Sequence, residues 1–333
     1  MAAATRPLGK TNLHVSPLGL GLAALGRPGY INLGHAGDLA RNYDVAAMAA
    51  HTHAVLDAAW QAGLRYFDAA RSYGRAEEFL GAWLRARRIP QGAVTVGSKW
   101  GYTYTAGWQV QAAAHEVKQH SLEVLRRQLR ESQANLGGYL RLYQIHSATR
   151  DSGVLANQPV LAELAQLKQA GMAIGLSLSG ADQAATLDRA LAIAFDGARL
   201  FDCVQATWNL LETSAAPALE QAHAAGMGII VKEALANGRL SPRNTDPAFA
   251  TKLALLEREA ARLQTTVDAL ALAAALAQPW AGVVLSGAAT VEQLASNVRA
   301  TQVAWDAEAQ AALAALAEPP ALYWETRKRL AWN

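Results

Sequence analysis

Asp68, Lys99 and His146 each close a short apolar run of the chain, and Tyr73 follows Asp68 by five positions. An acid, an amine, an imidazole and a phenol together have a definite use. A free phenol titrates near 10, too high for ready proton donation at neutral pH, and a nearby ammonium lowers that value by favouring the phenolate. Lys99 is expected to supply that charge. Asp68 is expected to hold Lys99 and offset part of its burial cost, and His146 to orient a carbonyl oxygen against Tyr73. Such a set protonates a carbonyl as hydride arrives, or runs in reverse. Cys203 is the only cysteine, so no cysteine nucleophile accompanies the four. His146 has no partner histidines for a metal site.

These residues need a scaffold that brings successive strand ends together. Strand-like runs fall at residues 18–22, 65–68, 94–99, 140–146, 173–177, 201–207, 228–233 and 282–286. Alanine-rich helical stretches alternate with them at 46–62, 77–87, 115–135, 160–170, 182–194, 217–225, 269–277 and 291–298. Most of the strands are too apolar to leave either face in water, which predicts a parallel sheet covered by helices. Eight β-then-α units without an intervening linker predict closure into a (β/α)8 TIM barrel over residues 1–333, one domain, rather than an open doubly wound sheet. Neighbouring strands lie about 5 Å apart, so Asp68, Lys99 and His146 would converge on one spot, with Tyr73 folding over it from its loop. The longer connections, at 26–45, 100–114 and 234–247, all follow strands, on the face where barrels carry their sites. An N-terminal β-hairpin over 6–15 is expected to cap the opposite end, and an extra helix at 306–317 to precede an aromatic C-terminal tail.

Composition narrows the class. The 333 residues include 52% hydrophobic and 17% charged, an apolar excess made largely of alanine, which favours helix more than it drives burial. The most apolar stretch, at 269–277, is stopped by Asp268 and Gln278, short of the roughly 18 residues a membrane span needs. One cysteine and the absence of a secretory-type apolar leader in MAAATRPLGK predict a cytoplasmic setting. With 30 Lys and Arg against 27 Asp and Glu, a net charge of +3 makes a weak field. The arginines at 85, 87, 88, 126, 127 and 130 read as solvated helix faces, not a nucleic-acid surface.

The segment Phe67-Asp68-Ala69-Ala70-Arg71-Ser72-Tyr73-Gly74 with Glu77, the pair Ser98-Lys99, and Gln144-Ile145-His146 resemble the aldo-keto reductases over nearly the whole chain. The resemblance implies a barrel binding nicotinamide cofactor, with Asp68, Tyr73, Lys99 and His146 as its catalytic tetrad. It implies a small-molecule aldehyde or ketone as substrate, or a sugar or alcohol in reverse. Gln205 matches the glutamine that holds the nicotinamide carboxamide, and Ser177 the serine of a Ser-Asn pair whose asparagine is Leu178 here. Trp208 stands where the family has a tyrosine stacked on the nicotinamide ring. The usual Tyr-Ser-Pro-Leu reads Lys232-Glu233-Ala234-Leu235, keeping backbone contacts near Leu235 while losing a serine hydroxyl. Ser286 and Gly287, with Gln293 and Asn297, match the adenosine-phosphate site. No arginine or lysine stands at 288–290 to pair with a 2′-phosphate; the family default favours NADP(H), with NAD(H) open.

Other features carry less. Gly19-Leu20-Gly21-Leu22-Ala23-Ala24 fits a GxGxxA fingerprint, but Gly26, Pro28 and Gly29 follow where a helix is required, so a Rossmann reading is rejected. Trp100 and Tyr30 are expected in the substrate pocket wall, alongside Tyr102, Tyr104 and Trp108. Trp324 and Trp332 suit either closure over the mouth or surface packing. An alternative function, a non-catalytic NADP(H)-binding redox sensor within a larger assembly, predicts tight cofactor binding with very slow turnover. Substrate identity, direction and oligomeric state are not encoded in any feature above.

Overall fold

Each strand of the computed structural model, which describes residues 5–333, pairs in parallel with its successor until the ring closes. The strands are β1 (Leu18–Gly21), β2 (Tyr66–Asp68), β3 (Thr95–Trp100) and β4 (Leu140–Ala148). They continue as β5 (Ala173–Leu178), β6 (Cys203–Thr207), β7 (Gly228–Lys232) and β8 (Val283–Ser286). β8 pairs with β1 through Val284–Leu18 and Ser286–Leu20, which removes the free edges an open sheet would leave. The expected (β/α)8 barrel is the observed one, and all eight expected strands are present within two residues at each end.

Strand alternation sorts every side chain into one of two cores. Tyr66, Leu142, Cys203, Ile230, Val283 and Leu285 fill the lower barrel interior. Leu8, Leu13 and Val15 join them from a hairpin in which Arg6–Pro7 pairs with His14–Val15, so the N-terminal hairpin plugs the bottom of the barrel. The intervening residues, such as Phe67, Val96, Tyr143, Val204 and Ala206, face the helices. Continuing the inward set upward by two from Tyr66 reaches Asp68. The same step in β4 runs from Leu142 through Gln144 to His146.

Helices α1 (Val45–Gln61), α2 (Ala76–Ala86), α3 (Leu122–Leu136), α4 (Gln158–Gln169), α5 (Gln183–Leu191) and α6 (Ala216–Ala224) form most of the outer layer. Several start on side-chain caps that satisfy an open backbone donor: Asp44 accepts from Ala47 N and Ser121 from Val124 N. The Ser121 cap corrects one expectation. Residues 115–135 are not one helix; Glu116–Lys118 instead forms a strand antiparallel to Tyr102–Tyr104, and the helix begins at Leu122. The connection after β3 is therefore a hairpin standing over the barrel mouth. A helix absent from the sequence reading, α7 (Ala250–Arg262), precedes α8 (Val267–Leu276) and α9 (Val291–Val298). α10 (Ala307–Leu313) is the expected extra helix, while the aromatic tail is largely helical as α11 (Pro320–Lys328). No helix among the described residues is long and apolar enough to cross a membrane.

Glu77 ties this frame together beneath the site. It is fully buried and accepts from Ser98 Oγ and Ser132 Oγ at 2.6 Å each, from Asn135 Nδ2 at 3.2 Å and from Arg71 Nη1 at 3.1 Å. Removing this buried charge leaves Ser98, Ser132 and Asn135 without their acceptor and Arg71 with Glu131 alone. Glu77→Ala is expected to lower the unfolding free energy by about 3–5 kcal/mol, read as a shift in denaturation midpoint.

Candidate active site

Asp68 and Lys99 point inward from neighbouring strands and form a buried ion pair; the ammonium also donates to Ala69 O at 2.9 Å. The other oxygen of Asp68 accepts from Gln205 Nε2 at 2.9 Å, Tyr66 Oη at 3.2 Å and Gln144 Nε2 at 3.4 Å. Tyr73 lies over this pair, with Lys99 Nζ 5.0 Å from its ring centroid. The His146 ring stands edge-on to Tyr73 at 5.5 Å, and its Nδ1 meets Ser72 Oγ at 3.3 Å. The four residues expected from the sequence are thus gathered at one spot.

Their charge states follow from burial and neighbours. Burial, reinforced by the Asp68 carboxylate, pushes the Tyr73 phenol well above its usual range, while the Arg27 guanidinium works the other way. Lys99, in contact with Asp68, presents its charge to Tyr73 as half of an ion pair, and the phenol is protonated at neutral pH. Burial, then the cations Lys99, Arg27 and Lys232, hold His146 well below the usual imidazole range. With Ser72 Oγ as the donor to Nδ1, the neutral ring carries its proton on Nε2, the nitrogen not engaged with Ser72.

A cavity of about 1000 Å³ opens above this cluster and extends along the barrel mouth. Its near lobe is walled by Arg27, Tyr30, Tyr102 and Glu116, with Trp324 and Trp332 closing it from the C-terminal side. Trp332 stacks on His115 at 3.8 Å, and the Asn333 and Tyr30 backbones exchange hydrogen bonds of 3.1 and 3.2 Å. At the end of β7, Lys232 Nζ donates to Thr207 Oγ1 at 2.7 Å, and burial lowers the ammonium to about 8. Burial would push Glu233 up, but Arg327 and Lys232 prevail and hold its carboxyl at about 2.

The cavity is also lined by Ser177, whose hydroxyl meets the residue after His146, and by Leu235, Ser286, Gly287, Gln293 and Asn297, the residues expected to contact cofactor. Ser177 Oγ accepts from Ser147 N at 2.8 Å. Asn297 turns its amide oxygen to Ser286 Oγ at 2.8 Å and its nitrogen to Asp268 Oδ2 at 2.9 Å. Gln293 accepts from Ala289 N at 2.8 Å and donates to Asp38 Oδ1 at 2.7 Å. Arg243 crosses from the β7 connection to pair with Asp38, one contact at 2.8 Å. Neither Asp38 nor Arg243 stands out in the sequence, because they lie in the separate connections after β1 and β7 and meet only through the fold.

Four expected contacts fall outside the cavity: Tyr104 and Trp108, the latter donating to Tyr43 O at 2.6 Å and edge-on to Phe79, and two more that share one reason. Trp208 continues the outward set of Val204 and Ala206; it is 4% exposed and packs edge-on against Trp280 at 5.8 Å. Trp100 continues the outward set of Val96 and Ser98; it is fully buried against His120 at 5.6 Å. Alternation puts Gln205 and Lys99 inside and their odd-numbered steps outside. Lys232 and Tyr102 stand on the cavity wall instead.

A dinucleotide fits this space. The cavity is large enough, Gly287 has open space where a side chain would begin, and the buried Asn237 Oδ1 on the wall has no partner. The aldo/keto reductase family model matches residues 17–318. Pyridoxal 4-dehydrogenase of Microbacterium luteolum is 33% identical over 156 residues, which is 41% of this chain and 40% of that protein, so the match spans about two-fifths of the relative's length. A putative aldo-keto reductase of Pseudomonas aeruginosa is 28% identical over 90% of this chain and 94% of that one, with a TM-score of 0.64. The holo form of a Bacillus halodurans aldo-keto reductase shares the fold at a TM-score of 0.72 and 22% identity, covering 95% and 97% of the two chains. Tetrad, barrel and family match agree over nearly the same residues, and the chain belongs to the aldo/keto reductase family.

Proposed function

We propose that this protein transfers hydride between a nicotinamide cofactor and a small aldehyde or ketone, or an alcohol or sugar in reverse. The observation that carries the reading is the placement of Tyr73 and His146, edge-on at 5.5 Å, on one wall of a cavity that is lined farther along by buried polar residues. Bound in that cavity, the cofactor supplies or accepts the hydride. Gln205 and Ser177 would hold its carboxamide end and Ser286, Gln293 and Asn297 its adenosine end, with NADP(H) or NAD(H) as the two forms.

The chain's own work is proton transfer and orientation. His146 Nε2–H donates to the substrate oxygen and polarises the carbonyl. Tyr73 gives its proton to that oxygen as negative charge develops there. Lys99, fixed by Asp68 and Ala69 O, keeps Tyr73 in place. The aromatic walls from Tyr30, Tyr102 and Trp324 exclude water and stack on a flat or ring-shaped substrate. The similarity to pyridoxal 4-dehydrogenase makes pyridoxal a substrate to include.

The test is purified protein with NADPH or NADH and a panel of aldehydes and ketones, with pyridoxal, alcohols and sugars run against the oxidised forms. Loss of reduced-cofactor absorbance only when a carbonyl is present supports the reading. Tight cofactor binding without turnover on any substrate favours the redox-sensor alternative.

A further inference from the structure

Arg27 is a side chain that the tetrad does not explain. It sits on the connection after β1 and is 3% exposed, although a guanidinium is among the costliest groups to bury. Its Cζ lies 5.2 Å from the ring centroid of Tyr73, 5.4 Å from Tyr30 and 4.9 Å from Trp332. Nη1 donates to Ser72 O at 3.1 Å and to Glu116 at 3.0 Å, while the buried Nε has no partner. Glycine makes this approach possible. A side chain on Gly26 would begin 2.2 Å from Tyr73 O, and one on Gly74, at φ +58°, would begin 2.4 Å from Gly26 O. Two glycines therefore let the β1 and β2 connections touch backbone to backbone, and Arg27, next to Gly26, lands on the Tyr73 ring.

We propose that Arg27 is an electrostatic positioning residue for Tyr73: its guanidinium on the ring stabilises the phenolate left when Tyr73 passes its proton to the substrate, and Glu116 attenuates that effect. In the step itself the phenol O–H bond breaks and the alcohol O–H bond forms, leaving a negative charge on Tyr73 until solvent returns the proton. A cation beside an aromatic ring in a desolvated site is well placed to oppose that charge. Other charged groups face Tyr73 as well. Asp68 and Lys99 lie beneath it as a pair, His146 stands beside it, and Glu233 acts from the end of β7. Among these neighbours Arg27 favours the phenolate, whereas Asp68, Glu116 and Glu233 oppose it.

The inference rests on Tyr73 being the proton donor, and the experiment separates the two. Carbonyl reduction needs the protonated phenol, so its rate is flat at low pH and falls as pH rises through the phenol's titration. Arg27→Gln is expected to lower turnover by about 30-fold and move that fall to higher pH. Glu116→Gln, at a part-exposed position, is expected to move the fall to lower pH, with cofactor affinity measured by fluorescence unchanged in both variants. Alkaline difference absorbance, taken against Tyr73→Phe, should show the same opposite displacements of the phenol itself. Arg27→Lys should recover part of the loss. Unmoved profiles, or displacements of the same sign, would overturn the role of Arg27. If Tyr73→Phe itself retains wild-type turnover, the fault lies instead with the proton-donor reading. Should Arg27→Gln fail to fold, the Glu116→Gln displacement still decides.

Discussion

Tyr73→Phe is expected to reduce kcat for carbonyl reduction by roughly 10³-fold while leaving the affinity for reduced cofactor within about twofold of wild type. The substitution removes one oxygen and little volume. Tyr73 makes ring contacts with His146, Arg27 and Lys99 that a phenylalanine keeps. The barrel should therefore be undisturbed, and the loss should appear in the chemical step. Because burial and Asp68 hold the phenol protonated, the wild-type enzyme has its proton in place at neutral pH and should show a broad pH plateau for reduction. Residual activity in the variant would come from His146, which still polarises the carbonyl. Turnover near wild type would remove Tyr73 from the mechanism and transfer the donor role to His146 or a bound water.

The division between what the sequence discloses and what it hides follows the physics of strand alternation. Asp68, Lys99 and His146 were legible because each ends an apolar run, where a polar residue is costly unless it has a partner. Tyr73 was legible because it follows one of them closely. Trp208 and Trp100 misled because an aromatic residue beside a site residue in sequence points to the other face of the strand. Counting by twos from Gln205 or Lys99 separates the faces without a structure. The charged pairs of the mouth are a different case. Arg27 with Glu116 and Arg243 with Asp38 join residues 89 and 205 positions apart, and no local pattern announces such partners. The signal that existed for Arg27 was a single arginine within the apolar, glycine-rich stretch before Tyr30. Buried arginines need partners, and the partner here is supplied by a hairpin that helical periodicity concealed.

The second large effect concerns the ion pair beneath Tyr73, and its size differs between the two partners. Lys99 has a fully buried side chain and two acceptors, Asp68 and Ala69 O. Asp68 has Lys99 and, in addition, the neutral donors Gln205, Tyr66 and Gln144. Asp68→Asn therefore leaves a buried ammonium without its counter-charge, with only neutral oxygens to accept from it, whereas Lys99→Met leaves a carboxylate that still accepts three hydrogen bonds. Breaking a buried pair from one side costs about 3–5 kcal/mol, and Asp68→Asn should lie at the upper end with Lys99→Met below it. The double variant removes both charges and should be more stable than the sum of the single losses implies, a coupling on the order of 2–3 kcal/mol in a double-mutant cycle by urea denaturation. Turnover should behave differently, falling on the order of 100-fold in each single variant and not recovering in the double, because neither restores a fixed cation beneath the phenol. Recovery of stability without recovery of rate would separate the structural cost of burying the pair from its use to Tyr73. Strictly additive stability losses would instead mean that the two charges act independently, and that Tyr73 is held by packing alone.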